Sequence, residues 1–184
     1  MTTTPGKTVL ITGANVGIGK EIARQLASRP EFAHIYLACR DRDKAIAART
    51  ELEAQTGRRI FDIVLMDVSD PASVRAGLAG VDGSIDAVVM NAGGMGGKTP
   101  MAVSADGATY MFAQNVLGHV VLLETLLAEA RLGDVAVFAG SEAARGLPKM
   151  GFKRPSFVSK SADELATVID GSFFAGRKAD ANVA

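Results

Sequence analysis

Gly13, Gly17 and Gly19, in the stretch Val9 to Gly19 that reads VLITGANVGIG, are the residues whose type and spacing point most directly to chemistry. Glycine is required where a Cβ would forbid a positive φ or hold the backbone away from a ligand. Val9, Leu10 and Ile11 before them form an apolar run short enough for a buried parallel strand. After them KEIARQLA has helical spacing, with Ile22, Ala23 and Leu26 on one face. A strand, a glycine turn and a helix bring unpaired N–H groups and the positive end of a helix dipole to one point, which suits a pyrophosphate. The spacing is GxxxGxG rather than GxGxxG, and a purely structural turn is the competing reading.

Further small or polar residues fall where other apolar runs stop. His34 to Cys39 ends at Arg40 and Asp41, Ile60 to Met66 at Asp67 and Val68, Ile85 to Met90 at Asn91, Ala92 and Gly93, and Asp134 to Ala139 at Gly140 and Ser141. In a dinucleotide fold the residue about 20 positions beyond the glycines meets the adenosine ribose: an acid holds a 2′-OH, whereas Arg accommodates a 2′-phosphate. Arg40 is the first polar group there, which favours NADP(H) over NAD(H). Asp41 is either a ribose partner or a helix N-cap, and the helical composition running on to Gly57 favours the cap. On the competing reading, Arg40 and Arg42 are solvated loop charges.

The elements that must position these groups alternate strand with helix. Asp70 and Pro71 open a further helix as N-cap and first residue, and a long apolar helix capped by Ser104 or Asp106 carries Asn115 and runs to about Arg131. The alternation predicts an α/β fold: a Rossmann-type doubly wound parallel sheet, incomplete, of about five strands with helices on both faces. Residues 1–141 are expected to form the nucleotide-binding domain. Residues 142–184 read as a long loop with a short helix near Ala162 to Ile169. Open sheets of this class bind ligands at the strands' carboxyl edge, where Gly13, Arg40, Asp67 and Asn91 collect.

Bulk composition narrows the function. A chain of 184 residues is long enough for a core without disulfides, and its one cysteine, Cys39, excludes an intramolecular pair. Lys plus Arg equals Asp plus Glu at 20 each, with no basic block, so no nucleic-acid footprint is expected. No signal peptide and no apolar run of about 18 residues stands out, so a cytoplasmic location without a transmembrane segment is expected. His34 and His119 lack companions at ligand spacing, so no metal is expected, and Tyr110 reads as a helix packing residue. Asn115 in an apolar helix must find hydrogen-bond partners, either at a site or on neighbouring backbone.

TGANVGIG, the ACR at Ala38 to Arg40, DV at Asp67 and Val68, NAG at Asn91 to Gly93 and the run DGATYMFAQNVLGHVVLLETLL together resemble the short-chain dehydrogenase/reductase family. The branch most resembled holds retinol dehydrogenase-like and protochlorophyllide reductase-like enzymes. The resemblance implies an oxidoreductase moving hydride between NADP(H) and a small carbonyl or alcohol substrate. It implies cofactor contacts at Gly13, Asn15, Gly17, Ile18 and Gly19, a 2′-phosphate on Arg40, adenine beside Asp67 and Val68, and a cleft lined by Asn91, Ala92 and Gly93. It implies catalytic-side roles for two residues: Asn115 supports a water and the family's lysine, and Ser141 hydrogen-bonds the substrate oxygen. Members of the family often form homo-oligomers through this long helix together with the tyrosine helix, of which the sequence offers only the first, so the resemblance leaves a homo-oligomer open.

The pattern then stops. No tyrosine occurs after Tyr110, and FVSKS offers Phe157 without a hydroxyl and Lys160 one residue early, so the family's Tyr-xxx-Lys pair is absent. The chain is expected to end short of its acid/base residue, to leave its fifth strand as an exposed sheet edge, and to have little reductase activity. A non-catalytic NADP(H) sensor or interaction module is the alternative. A remoter one is a P-loop nucleotide hydrolase built on AGGMGGKT at Ala92 to Thr99. Against it, Ala92 replaces the first glycine and Pro100 follows Thr99, biasing it away from helical geometry.

Overall fold

The computed structural model describes residues 6–94, 102–103 and 107–141. Five strands, β1 (Lys7–Thr12), β2 (Phe32–Cys39), β3 (Phe61–Leu65), β4 (Ile85–Met90) and β5 (Leu132–Phe138), form one sheet in the order β3-β2-β1-β4-β5. All pairings are parallel, with Leu10 beside Tyr36 on one side and Val88 on the other. The helices are α1 (Gly17–Ala27), α2 (Arg42–Thr56), α3 (Pro71–Ala79), α4 (Tyr110–Phe112) and α5 (Gly118–Ala128), with a π-helical turn over Ala113–Leu117 joining the last two. The expected doubly wound α/β sheet is therefore present, and the strand order reverses direction beside β1.

Period-two alternation decides which side chain goes to which layer. Val9 and Ile11 with Ile35 and Leu37 pack under α1 and α2 against Ala23, Ala27, Ala45 and Leu52. Leu10, Val88 and Met90 point the other way, onto Val74 and Leu78 of α3 and Leu122 and Leu126 of α5. Each such fully buried Leu or Ile contributes about 1.5–3 kcal/mol. Thr12 falls in step with Leu10, so the sequence parity sends its hydroxyl toward α5.

The caps follow the sequence with one exception. Asp41 accepts from the Lys44 N–H at 3.0 Å and Gly57 closes α2 at φ 68°, while Asp70 accepts from the Ala72 N–H at 2.9 Å with Pro71 behind it. The long helix is different. It starts at Tyr110, capped by the Thr109 side chain on the Phe112 N–H, and ends at Ala128 rather than near Arg131. Thr109 holds the cap because Val103 and Thr109 form a bridge that brings the chain in just before Tyr110. Ser104 and Asp106 lie outside the described residues. Tyr110, expected to pack, is 42% exposed, since it sits on the first turn before the helix reaches the sheet.

The segment Tyr110–Ala128, 19 residues with mean hydropathy 1.4 over its best window, is long and apolar enough to cross a membrane by length and composition. Gln114, Asn115, His119 and Glu124 interrupt it, which is why no unbroken apolar run stands out. In the fold Leu122 and Leu126 are fully buried against the sheet and α3. Residues 142–184, including the short helix expected near Ala162 to Ile169, lie outside the described residues.

Candidate functional site

A cleft of about 450 Å³ opens at the carboxyl edge of the sheet, where the strand order reverses. Every residue singled out for the cofactor side except Gly17 and Gly19 lines it: Gly13, Asn15 and Ile18 from the glycine turn, Arg40 beyond β2, Asp67 and Val68 beyond β3, and Asn91, Ala92 and Gly93 beyond β4. The two exceptions have structural roles. Gly17 takes φ +57°, and a Cβ on Gly19 would lie 2.5 Å from the Gly13 carbonyl oxygen and 2.6 Å from Asn91 Nδ2. Gly13 itself takes φ +67°, and a Cβ there would come within 3.0 Å of Ala92 Cα, so the turn and the β4 loop are packed backbone to backbone.

The amino end of α1 faces this cleft without a side-chain cap. Val16 at the N-cap makes no capping hydrogen bond and the first turn carries no acidic residue. Its free amides and dipole therefore remain available to an anion. Val16 and Ile18 are 66% and 73% exposed, an apolar rim around those amides. At the β2 end Arg40 and Lys44 line the wall, Lys44 lying 3.4 Å from the Asp41 carboxylate. The Lys44 backbone N–H, more than its ammonium, holds the Asp41 carboxyl below the usual carboxylate range. Asp41 is thus the helix cap, as its position implied, and Lys44 is a second cation that the sequence reading passed over.

Below the cleft, Asp67 accepts from the Ser69 N–H at 2.9 Å and the Ser69 hydroxyl at 2.7 Å, which fixes the β3 loop. Cys39 also lines the cleft, but burial pushes its thiol up to about 11 despite the Ala14 and Asn15 amides. It is a packed thiol at neutral pH, not a nucleophile.

Thr12 is the polar residue the sequence reading missed. It is fully buried, its hydroxyl accepts the Asn91 and Ala92 N–H groups at 2.9 Å each, and it lies 3.0 Å from His119 Nε2. The signal was a lone histidine in an apolar helix; it has no ligand set, but its partner is a hydroxyl at a strand tip. Among the described residues no cluster of His, Cys, Asp or Glu could hold a metal. Burial lowers the His119 pKa, opposed by the Asn115 carbonyl.

The structure separates Asn115 and Ser141 from one another in kind. Asn115 sits in the π-helical turn, where its Oδ1 accepts the Gly94 N–H at 2.9 Å and its Nδ2 donates to the Gly94 and Met111 carbonyls at 2.8 and 2.7 Å. Its amide thus meets backbone of the loop after β4 and of its own helix. Ser141 follows β5 on the exposed surface. Of AGGMGGKT only Ala92 to Gly94 are described; Lys98 and Thr99 lie outside the described residues.

The family model for short chain dehydrogenases matches residues 7–152, a span that holds every element above. The chain belongs to the short-chain dehydrogenase family. Within it, human retinol dehydrogenase 11 is 40% identical over 126 residues, 67% of this chain and 38% of that protein. Human retinol dehydrogenase 12 is 39% identical over 135 residues, 72% of this chain and 42% of that protein. Among solved structures, L-sorbose reductase from Gluconobacter frateurii, complexed with NADPH and L-sorbose, superposes with a TM-score of 0.64 at 30% identity, covering 80% of this chain and 56% of that one. The chain therefore spans roughly two fifths of the length of these retinol dehydrogenases.

Proposed function

We propose that these residues bind NADP(H) as the nucleotide-holding part of an oxidoreductase that moves hydride between the nicotinamide and a small carbonyl or alcohol. The observation that carries this is the uncapped amino end of α1 opening on a cleft whose far wall bears Arg40 and Lys44. The diphosphate lies on the amides of the Gly13–Gly19 turn, with Asn15 and Ile18 beside it. Arg40 and Lys44 take the 2′-phosphate, Asp67 and Val68 border the adenine, and Asn91, Ala92 and Gly93 form the floor at the nicotinamide end. Charge-assisted bonds to a phosphate are the strong ones, so the cations favour NADP(H) over NAD(H). L-sorbose reductase, similar in fold at 30% identity and complexed with NADPH, supports NADP(H) as the cofactor.

Asn115 and Ser141 are proposed for the catalytic side, Asn115 by fixing the Gly94 loop and Ser141 by hydrogen-bonding the substrate oxygen. The chemistry also needs a tuned proton donor, and the sequence holds no tyrosine after Tyr110. These 184 residues by themselves are therefore expected to bind cofactor and not to reduce carbonyls. A cytoplasmic location is proposed with it, supported by Leu122 and Leu126 being spent on the sheet rather than offered to lipid.

Calorimetric titration with NADP+, NAD+ and ATP tests the reading. NADP+ should bind tightest. Binding of neither nicotinamide dinucleotide to folded protein overturns it, and tighter binding of ATP favours the nucleotide-hydrolase alternative. A second reading, a nucleotide-responsive module without chemistry, is favoured by one observation: the Asn115 amide is occupied by backbone. Such a module must transmit occupancy, so NADP+ would slow hydrogen exchange along β5; unchanged exchange there leaves the dehydrogenase reading.

A further inference from the structure

A hydroxyl has two lone pairs and one proton. At Thr12 the Asn91 and Ala92 N–H groups take the two lone pairs, both at 2.9 Å. The hydroxyl proton is left with two acceptors, His119 Nε2 at 3.0 Å and the Val89 carbonyl at 3.4 Å. The nearer one is His119, and its Nε2 must then be unprotonated. In that tautomer the ring proton is on Nδ1, which faces the Asn115 carbonyl at 3.5 Å.

The ring cannot move away from this post. A Cβ on the preceding Gly118 would lie 1.8 Å from the Val68 carbonyl oxygen, so the helix backbone rests directly on the β3 loop. Phe138 of β5 stands edge-on to the imidazole at 5.6 Å. Asn115, Gly118 and His119 lie on one helix face at i, i+3 and i+4. They touch, in that order, the loop after β4, the loop after β3 and the tip of β1.

We propose that His119 is a positioning residue of the cofactor cleft: as the neutral Nδ1–H tautomer it takes the Thr12 proton and so holds the Asn91 and Ala92 amides, the cleft floor, in place. The proposal rests on the NADP(H) reading and extends it to the residue that sets the floor. Protonated at Nε2, the imidazole would aim a third donor at an oxygen with two lone pairs, and the floor amides would have to rearrange, the Asn91 N–H turning to the Val89 carbonyl that it already meets at 3.1 Å. Because Ala92 packs against Gly13, that rearrangement reaches the diphosphate turn.

Among the described residues, no charged side chain acts on the ring. Lys7 on β1, Asp86 on β4 and Asp134 on β5 stand at the amino ends of their strands, with Thr12 and Phe138 at the carboxyl ends. Glu124 on α5 is exposed, and the π-helical turn presents only the Asn115 carbonyl. Burial therefore governs the titration and depresses it below the ordinary 6.5. With a depressed folded-state pKa, the arrangement is intact above 6.5 and is lost as pH falls through the folded value.

The test is calorimetric NADP+ binding to the full chain between pH 7.5 and 5, with nitrogen-15 NMR of the imidazoles. The chain has two histidines, and His34 is distinguished by its Nε2 lying 2.7 Å from the Asp62 carboxylate. The His119 signals should show an unprotonated Nε2 at pH 7.5. Affinity should fall about tenfold as that nitrogen gains its proton, the value of one displaced buried hydrogen bond. Saturating NADP+ should shift the His119 titration further down, by linkage. His119→Gln, whose amide oxygen accepts without titrating, should bind as the parent does at pH 7.5 and lose that part of the pH dependence. The 2′-phosphate also titrates near pH 6, but equally in both proteins, so their difference isolates His119. An Nε2–H at pH 7.5, or a His119 titration unmoved by NADP+, overturns the proposal; so does a pH profile kept by His119→Gln. Absence of NADP+ binding by the parent at pH 7.5 instead overturns the NADP(H) reading, and this one with it.

Discussion

The centre of the sheet and its β5 edge are built from similar apolar residues and could hardly differ more in what they do with them. At β1, Val9, Leu10 and Ile11 are fully buried, and even the polar Thr12 is sealed off with its bonds satisfied. On β5, Val135, Val137 and Phe138 are 46, 49 and 52% exposed. Sequence hydropathy does not distinguish the two; neighbours do. A strand flanked on both sides and covered on both faces holds its polar groups in fixed positions, and the cofactor-side residues gather at the tips of β1, β2 and β4, with only Asp67 and Val68 following the other edge strand, β3. Ser141 hangs from the edge strand.

The largest expected contrast is in core substitutions. Leu122→Ala on the fully buried α5 face should cost about 2–5 kcal/mol of unfolding free energy, whereas Val137→Ala should stay within about 1 kcal/mol. Chemical denaturation measures both, and equal costs would erase the distinction between centre and edge. Glycines sharpen it. A Cβ on Gly118 meets the Val68 backbone while one on Gly140 meets nothing within 4 Å. Gly118→Ala should therefore cost about 3 kcal/mol through overpacking, with Gly140→Ala within about 0.5 kcal/mol. Smaller in free energy is Arg40→Ala, which should leave stability unchanged and weaken NADP+ about tenfold to a hundredfold with little effect on NAD+. Equal weakening of both cofactors removes Arg40 from the 2′-phosphate.

The strands, the glycine turn and the Asp41 and Asp70 caps were legible because each is a local rule: apolar runs, positive-φ glycines, short acids before helices. The cleft residues were legible because parallel strands must end on one edge, so their tips meet whatever the pairing. The long helix was read less well. Its cap at Thr109 depends on the bridge with Val103, and its π-helical turn depends on Asn115 reaching Gly94; both are contacts between separate segments. His119 was weighed only against metal ligation because its partner, Thr12, is 107 residues away in the chain.

The sequence by itself therefore determined the α/β class, the alternation of layers and the family, since these follow from periodicity and from motifs contiguous in the chain. Only the tertiary structure decided that Thr12, His119, Asn91 and Ala92 form one hydrogen-bonded node, and that Lys44 joins Arg40 on the cleft wall. Buried polar groups must be satisfied, but a sequence states only the need; which donor meets which acceptor is set by how the layers close on one another.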